Sequence, residues 1–177
     1  MILLYVFLAL IFILILLAVV APKKYDVNRM ITINKPIDEV FNYLKFIKNQ
    51  DEWSPWKKKD PNMKQDFMGS DGEVGFIAKW EGNKDVGTGE QELLRIVDNE
   101  IIESKLRFFK PWKSESDAYI KDEGSAKDKS TVVTWGFFGN NKPPSNIFFL
   151  FLNMDKTVGK DFEEGLESLK TILENRN

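Results

Sequence analysis

The stretch from Met154 to Leu173 carries apolar residues at Met154, Val158, Phe162, Leu166, Leu169 and Leu173, in steps of four and three. That spacing is one face of an α-helix. A helix with a single dry face needs a partner to cover it. The chain ahead of it supplies only short segments with the two-residue period of strands. We therefore expect a curved antiparallel sheet closed around this last helix, with an apolar cavity between them.

The strand candidates follow in order. Tyr25 to Asn34 mixes Val27, Met30, Ile31 and Ile33 with Asp26, Asn28 and Thr32. Asn34-Lys35-Pro36 then opens a helix whose buried stripe is Ile37, Val40, Phe41, Leu44 and Ile47, with Asp38 and Glu39 facing its positive end. Trp53-Ser54-Pro55-Trp56 and the basic run Lys57-Lys58-Lys59 come next. A meander of strands is then expected at Lys64–Met68, Val74–Glu81, Glu90–Val97, Ile101–Phe109, Ser114–Lys121 and Lys129–Phe138, separated by Gly-, Asn- and Asp-rich turns. In Ile101–Phe109, Ile102, Ser104, Leu106 and Phe108 share one face, while Glu103, Lys105 and Arg107 take the other. One dry face and one wet face is the antiparallel pattern. The fold class is α+β, with about seven strands, one or two short helices after the first strand, and the long C-terminal helix.

At the other end, Met1 to Val20 carries no charge. As a helix it would be roughly 30 Å long, enough to cross a bilayer core. A cleaved signal peptide is the competitor. Against it, no Lys or Arg precedes the run, and Ala18-Val19-Val20 and Val19-Val20-Ala21 are poor cleavage signals. We read residues 1–21 as a single-pass transmembrane anchor, 22–27 as a linker and 28–175 as the folded domain. Lys23 and Lys24 just past Pro22 favour a cytoplasmic domain, with the N-terminus outside.

Composition removes several classes of chemistry. The chain has no Cys and no His, so disulfides, thiolate nucleophiles and the commonest general base are missing. Its formal charge is −2 with both signs spread evenly, which does not fit nucleic-acid binding. No cofactor and no metal are expected. Glu73, Glu81, Glu90, Gln91, Arg95 and Tyr119 are the polar candidates for catalysis, but alternation puts most of them on solvent faces.

With these residues in hand, the chain resembles the SRPBCC superfamily over about residues 25–175. That superfamily takes in START-type lipid-transfer domains, birch-pollen-allergen-like proteins and polyketide cyclase/dehydrase-type proteins. The resemblance rests on the element order and on five local runs. These are Ile33-Asn34-Lys35-Pro36 with Val40-Phe41, Trp53-Ser54-Pro55-Trp56, Gly87-Thr88-Gly89, Thr131-Val132-Val133-Thr134-Trp135 and Lys160-Asp161-Phe162-Glu163-Glu164-Gly165-Leu166. It implies a helix-grip fold and a small apolar molecule or lipid as ligand. Anchored relatives can carry a C-terminal effector-binding domain, and none is expected after this helix.

The expected ligand-binding residues are Trp53, Trp56, Phe76, Trp80, Leu106, Phe108, Trp135, Phe137, Met154, Val158 and Phe162. Trp53 and Trp56 read as mouth residues or, since Trp mostly serves packing, as core aromatics. Lys57-Lys58-Lys59 reads as a headgroup contact or as a solvated loop. The apolar run Ile147 to Leu152 reads as a membrane-dipping gate or as a buried lead-in to the last helix. Three functions remain open. The first is a membrane-tethered carrier of an apolar ligand. The second is a cavity enzyme of the cyclase/dehydrase kind, using a carboxylate or a Tyr. The third is an assembly or stress protein whose partner docks near Trp112.

Overall fold

A computed structural model of the chain describes residues 1–124, 127–151 and 153–176, with only the backbone described at 145, 148 and 149. Helix α1 (Ile2–Val20) leads through Ala21, Pro22 and Lys23 into strand β1 (Lys24–Ile33). Helix α2 (Ile37–Leu44), a 3-10 turn at Ile47–Asn49 and the short helices α3 (Gln50–Trp53) and α4 (Pro55–Lys59) follow. Strands β2 (Lys64–Met68), β3 (Ile77–Glu81), β4 (Thr88–Val97), β5 (Ile101–Lys110), β6 (Ser114–Glu123) and β7 (Thr131–Asn140) come next. A 3-10 helix (Ser145–Leu150) and helix α5 (Met154–Asn175) complete the order. The strands form one antiparallel sheet in the order β1-β7-β6-β5-β4-β3-β2. Consecutive strands from β2 to β7 are neighbours, so the meander is a chain of hairpins. The first strand closes on the last, in register from Lys24 opposite Asn140 to Ile33 opposite Thr131.

Register fixes which side chains meet α5. Val27 stands opposite Phe137, which stands opposite Ala118, and Trp135 stands opposite Ile120, which stands opposite Ile102. These residues share the concave inner face with Leu93, Ser104, Leu106 and Phe108. The outer face carries charge: Arg107 bridges Glu90 at 3.0 Å and Glu92 at 2.7 Å, and Arg95 bridges Glu103 at 3.2 Å. A shift in the β4–β5 register between Leu93 and Arg95 breaks the alternation there and leaves Leu94 exposed. Such shifts bend a sheet locally.

Helix α5 is capped by Asn153, whose side chain accepts from the Lys156 N–H. Its dry face buries Phe162, Leu166, Leu169 and Leu173, together with Gly159 and Gly165. Both glycines are there for close approach. A Cβ on Gly165 would stand 2.7 Å from Cζ3 of Trp135 and 3.2 Å from Cδ of Pro55. A Cβ on Gly159 would stand 2.2 Å from Nη2 of Arg29, which crosses α5 there to pair with Asp155 at 2.8 Å and Glu163 at 2.5 Å. The Lys57–Lys59 run meets neither of its two sequence readings in full. Lys59 pairs with Asp161 at 2.7 Å and Lys58 donates to Ser168 at 3.0 Å, so two of the three lysines tie α4 to α5.

Gly165 tests this packing. Ala normally stabilises a helix interior over Gly by about 1 kcal/mol. Here we expect Gly165→Ala to destabilise instead, because the Trp135 ring it meets is itself wedged by neighbours. Gly165→Leu should cost more, on the order of 3 kcal/mol. Urea denaturation of the full chain in detergent, followed by Trp emission, measures both.

Candidate functional site: a cavity at one end of the sheet

The inner face is filled at one end and hollow at the other. At the filled end, α2 and the C-terminal half of α5 bury Ile33, Val40, Phe41, Leu44, Leu166, Leu169 and Leu173 against the sheet. The boundary is a cluster of rings. Trp135 stacks on Phe162 at 4.2 Å between centroids and takes Trp53 edge-on at 4.7 Å and Trp56 edge-on at 5.4 Å. Beyond it the sheet presents small residues inward: Ala78, Gly89, Ser104, Ser116, Ala118 and Gly139. Opposite them α5 offers Met154 and Val158. The space between holds a cavity of about 1030 Å³ that opens at one end.

Nine of the expected ligand residues line this cavity: Trp56, Trp80, Leu106, Phe108, Trp135, Phe137, Met154, Val158 and Phe162. Trp53 and Phe76 do not. Trp53 is 1% exposed and packs behind Trp135, and Phe76 is stacked on Phe67 at 6.0 Å within the core. The indole N–H of Trp53 has no partner among the described residues. Both follow the strand or helix pattern of cavity residues, and only their depth separates them.

Polar groups occupy two regions of the wall. Near the opening, the Tyr25 hydroxyl and Ser116 Oγ lie 2.6 Å apart. Burial pushes the Tyr25 phenol above its ordinary range. Farther in, Lys57 donates to Gln65 Oε1 at 3.3 Å, and Gln65 donates to Asp51 at 2.8 Å. Gln91 donates to Ser104 Oγ at 3.2 Å. Gln91, one of the polar candidates that alternation assigns mostly to solvent faces, has its side chain on the cavity wall. The β3–β4 register sets it opposite Ala78 and so on the inner face. The sequence signal that could have found this site is the run of small inner-face residues, since hydrophobic patterning ignores missing volume.

The cavity reaches the end of the sheet where four features converge. The β3–β4 turn (82–87), the β5–β6 turn (111–113), the segment after β7 and the junction of α1 with β1 all fall at one end of the sheet. The registers Glu81 opposite Thr88, Thr88 opposite Lys110, and Lys24 opposite Asn140 require it. The C-terminal end of α1 is fastened there. Asn146, fully buried, donates its side-chain N–H to the carbonyls of Ala18 at 2.7 Å and Ala21 at 3.2 Å. These are carbonyls that the end of a helix leaves without an intrahelical partner. The apolar run Ile147–Leu152 follows directly. Leu150 and Phe151 are exposed, so they are not a buried lead-in to α5. The Asn146 attachment fixes this 3-10 segment along the surface rather than in the core. Phe148 and Phe149 side chains, and Leu152, lie outside the described residues.

One buried acid stands apart. Asp122 is on the inner face at the closed end of β6, opposite Val133. Neither of its side-chain oxygens has a hydrogen-bond partner among the described residues, and burial pushes its pKa up to about 7. It does not line the cavity. Of the polar residues weighed for catalysis, Glu90, Arg95 and Tyr119 face outward with the charged surface of the sheet, Glu90 on Arg107 and Arg95 on Glu103.

By sequence, no protein-family model and no curated protein matches this chain. By structure it is similar to the Aha1 dimer from Colwellia psychrerythraea, with a TM-score of 0.58 and 17% identity over 85% of this chain and 97% of that one. It is similar to norcoclaurine synthase from Thalictrum flavum at a TM-score of 0.62 and 11% identity, covering 92% of each chain. DynU16, described as a putative protein in the dynemicin biosynthetic locus, matches at 0.58 and 14% identity over 85% of this chain and 47% of that one. These likenesses establish the fold. It is a helix-grip fold: a curved seven-stranded sheet gripping a long C-terminal helix.

Asp122 makes a pH prediction. Its folded-state pKa lies above the ordinary 3.8, so the folded chain holds a proton there that the unfolded chain has lost. That contribution is present at low pH and vanishes as pH rises through about 7. Between pH 5 and pH 8 the wild type should lose roughly 2 kcal/mol of stability from this group. Asp122→Asn should flatten that part of the dependence, as read from urea midpoints at the two pH values.

Proposed function

We propose that this chain is a membrane-tethered binder or carrier of a small apolar molecule or lipid, held in the cavity between α5 and the sheet. The single observation that carries the reading is the position of the cavity. It reaches the end of the domain where a helix long and apolar enough to cross a membrane enters the fold. Residues 1–21 serve as the anchor and 28–175 as the binding domain, with β1 already begun in the join at 22–27. The uncharged helix and the two lysines after it fit a single-pass protein with its domain on the cytoplasmic side.

The cavity lining supports an apolar ligand with one or two polar atoms. Trp56, Trp80, Leu106, Phe108, Phe137, Met154 and Val158 would hold its body. The Tyr25–Ser116 pair and the Gln91–Ser104 pair would meet its polar groups, the usual division of labour in a ligand pocket. Apolar space that side chains leave unfilled is costly to a fold, which favours an occupant. The related folds fit this use: one norcoclaurine synthase structure is a complex with dopamine and hydroxybenzaldehyde.

A cavity enzyme is the second reading, and Tyr25 favours it. Its hydroxyl is on the cavity wall and hydrogen-bonded to Ser116. Asp51 is the carboxylate nearest such a role, although Gln65 already donates to it. The buried acid with the raised pKa, Asp122, is on the wrong side of the ring cluster.

Filling the cavity separates binding from mere purification of membrane protein with lipid. We expect the full chain, extracted in mild detergent, to yield a tightly held apolar molecule on denaturing mass spectrometry. Val158→Trp should reduce its stoichiometry at least fivefold while the chain still sediments with membranes. Equal amounts in the wild type and the Val158→Trp variant would overturn the carrier reading.

A further inference from the structure

The rim of the cavity has features that cavity binding alone does not require. Trp112, at the tip of the β5–β6 turn, lines the opening and is 78% exposed. Phe151, just ahead of α5, is 81% exposed, and Leu150 beside it is exposed too. Around them stand Lys84 on the β3–β4 turn, Lys110 and Lys113 flanking Trp112, Lys142 after β7, and Lys23 and Lys24 at the end of α1. Lys23, Lys24, Lys84, Lys110 and Lys113 make no ion pair with any described residue. The acids on the same rim are Asp85, Glu115 and Asp117, the last paired with Lys105. By contrast, many lysines and arginines on the outer face and along α5 do have carboxylate partners, as with Arg107, Lys59 and Arg29.

We propose that this rim docks on the surface of an anionic phospholipid bilayer, with Trp112 and Phe151 at headgroup depth, so that the cavity opens onto lipid and not onto water. The inference rests on the tethered-carrier reading and adds an orientation to it. Three observations point to the bilayer as the occupant. The apolar helix ends inside this same surface, so the rim and the membrane must be within a few residues of each other. The junction is short and fixed: three residues separate α1 from β1, and Asn146 bonds the last carbonyls of α1, which leaves the domain little freedom to swing away. The charge and the aromatic content match, since lysines meet anionic headgroups and Trp prefers the interface.

The geometry also explains why the exposed aromatics are tolerated. A Trp and a Phe standing out of an isolated soluble domain are an association hazard. Here the surface that carries them is covered by the bilayer to which the chain is tied.

The test reconstitutes the full chain in vesicles of phosphatidylcholine and phosphatidylglycerol, 3:1, with bromine placed on the acyl chains near the headgroup. Other tryptophans face the cavity and would meet any bound brominated lipid. The signal is therefore the difference in quenching between the wild type and Trp112→Phe. We expect Trp112 emission to be quenched by the bromolipid and shielded from aqueous acrylamide. The triple variant Lys84→Ala/Lys110→Ala/Lys113→Ala should lower the bromolipid quenching at least twofold, as should vesicles of phosphatidylcholine alone. Alkaline carbonate extraction is run in parallel. If the chain stays in the vesicles while Trp112 is quenched only by acrylamide, docking is overturned and the tether stands. If quenching is the same in neutral vesicles and in the triple variant, the lysines have no part in it and the electrostatic assignment is overturned. Release of the chain by carbonate overturns both the tether and the docking.

Discussion

The stack of Trp135 on Phe162, over the bare backbone of Gly165, is the contact on which the rest of this molecule depends. It brings the last strand and the last helix together at the one place where both can approach closely. Trp53 and Trp56 close around the same ring from the short helices, so four aromatic side chains from four elements meet at one point. Ring pairs in tilted and offset geometries add to the area they bury. Everything on one side of this cluster is filled core. Everything on the other side is the cavity.

That division follows from side-chain volume. On the filled side, Ile, Val, Leu and Phe from α2 and α5 form one buried cluster with the sheet. On the hollow side the inner face of the sheet sets Ala78, Ser116 and Ala118 among Trp80, Leu106, Phe108 and Phe137, and α5 faces them with Met154, Val158 and Phe162. The helix cannot settle deeper to close the gap, because the ring cluster props it at its midpoint. Arg29, crossing at Gly159 to reach Asp155 and Glu163, holds its N-terminal half at the same height. The void is thus built into the fold by a wedge and a strut.

The same geometry sets the cavity beside the apolar helix. A sheet whose first strand pairs with its last must place the start of the first strand beside the end of the last. The helix that precedes β1 and the 3-10 segment that follows β7 are therefore neighbours, and Asn146 joins them. The hairpin turns that rim the opening fall at that end by strand register alone. That the cavity reaches the end of the sheet where the apolar helix enters the fold is a consequence of topology, and the rim lysines and Trp112 stand at that same end.

The sequence alone determined a good deal. The spacing of Phe162, Leu166, Leu169 and Leu173 fixed the gripped helix, and the two-residue period around Ile102, Ser104, Leu106 and Phe108 fixed the inner face of β5. The apolar run before Pro22 fixed a helix of membrane length. These patterns were legible because they are local: each depends on which neighbours along the chain share a face. Depth and distance were not. That Trp53 is packed behind Trp135 while Trp56 reaches the cavity, that Gln91 faces inward, that Lys58 and Lys59 are spent on α5, and that Leu150 and Phe151 stay exposed were decided by tertiary structure. Asp122 belongs with them, since nothing in its local sequence says it is buried without a partner. The cavity itself is the clearest case: its wall gathers residues from all seven strands and from α5, and no single stretch of chain records that meeting.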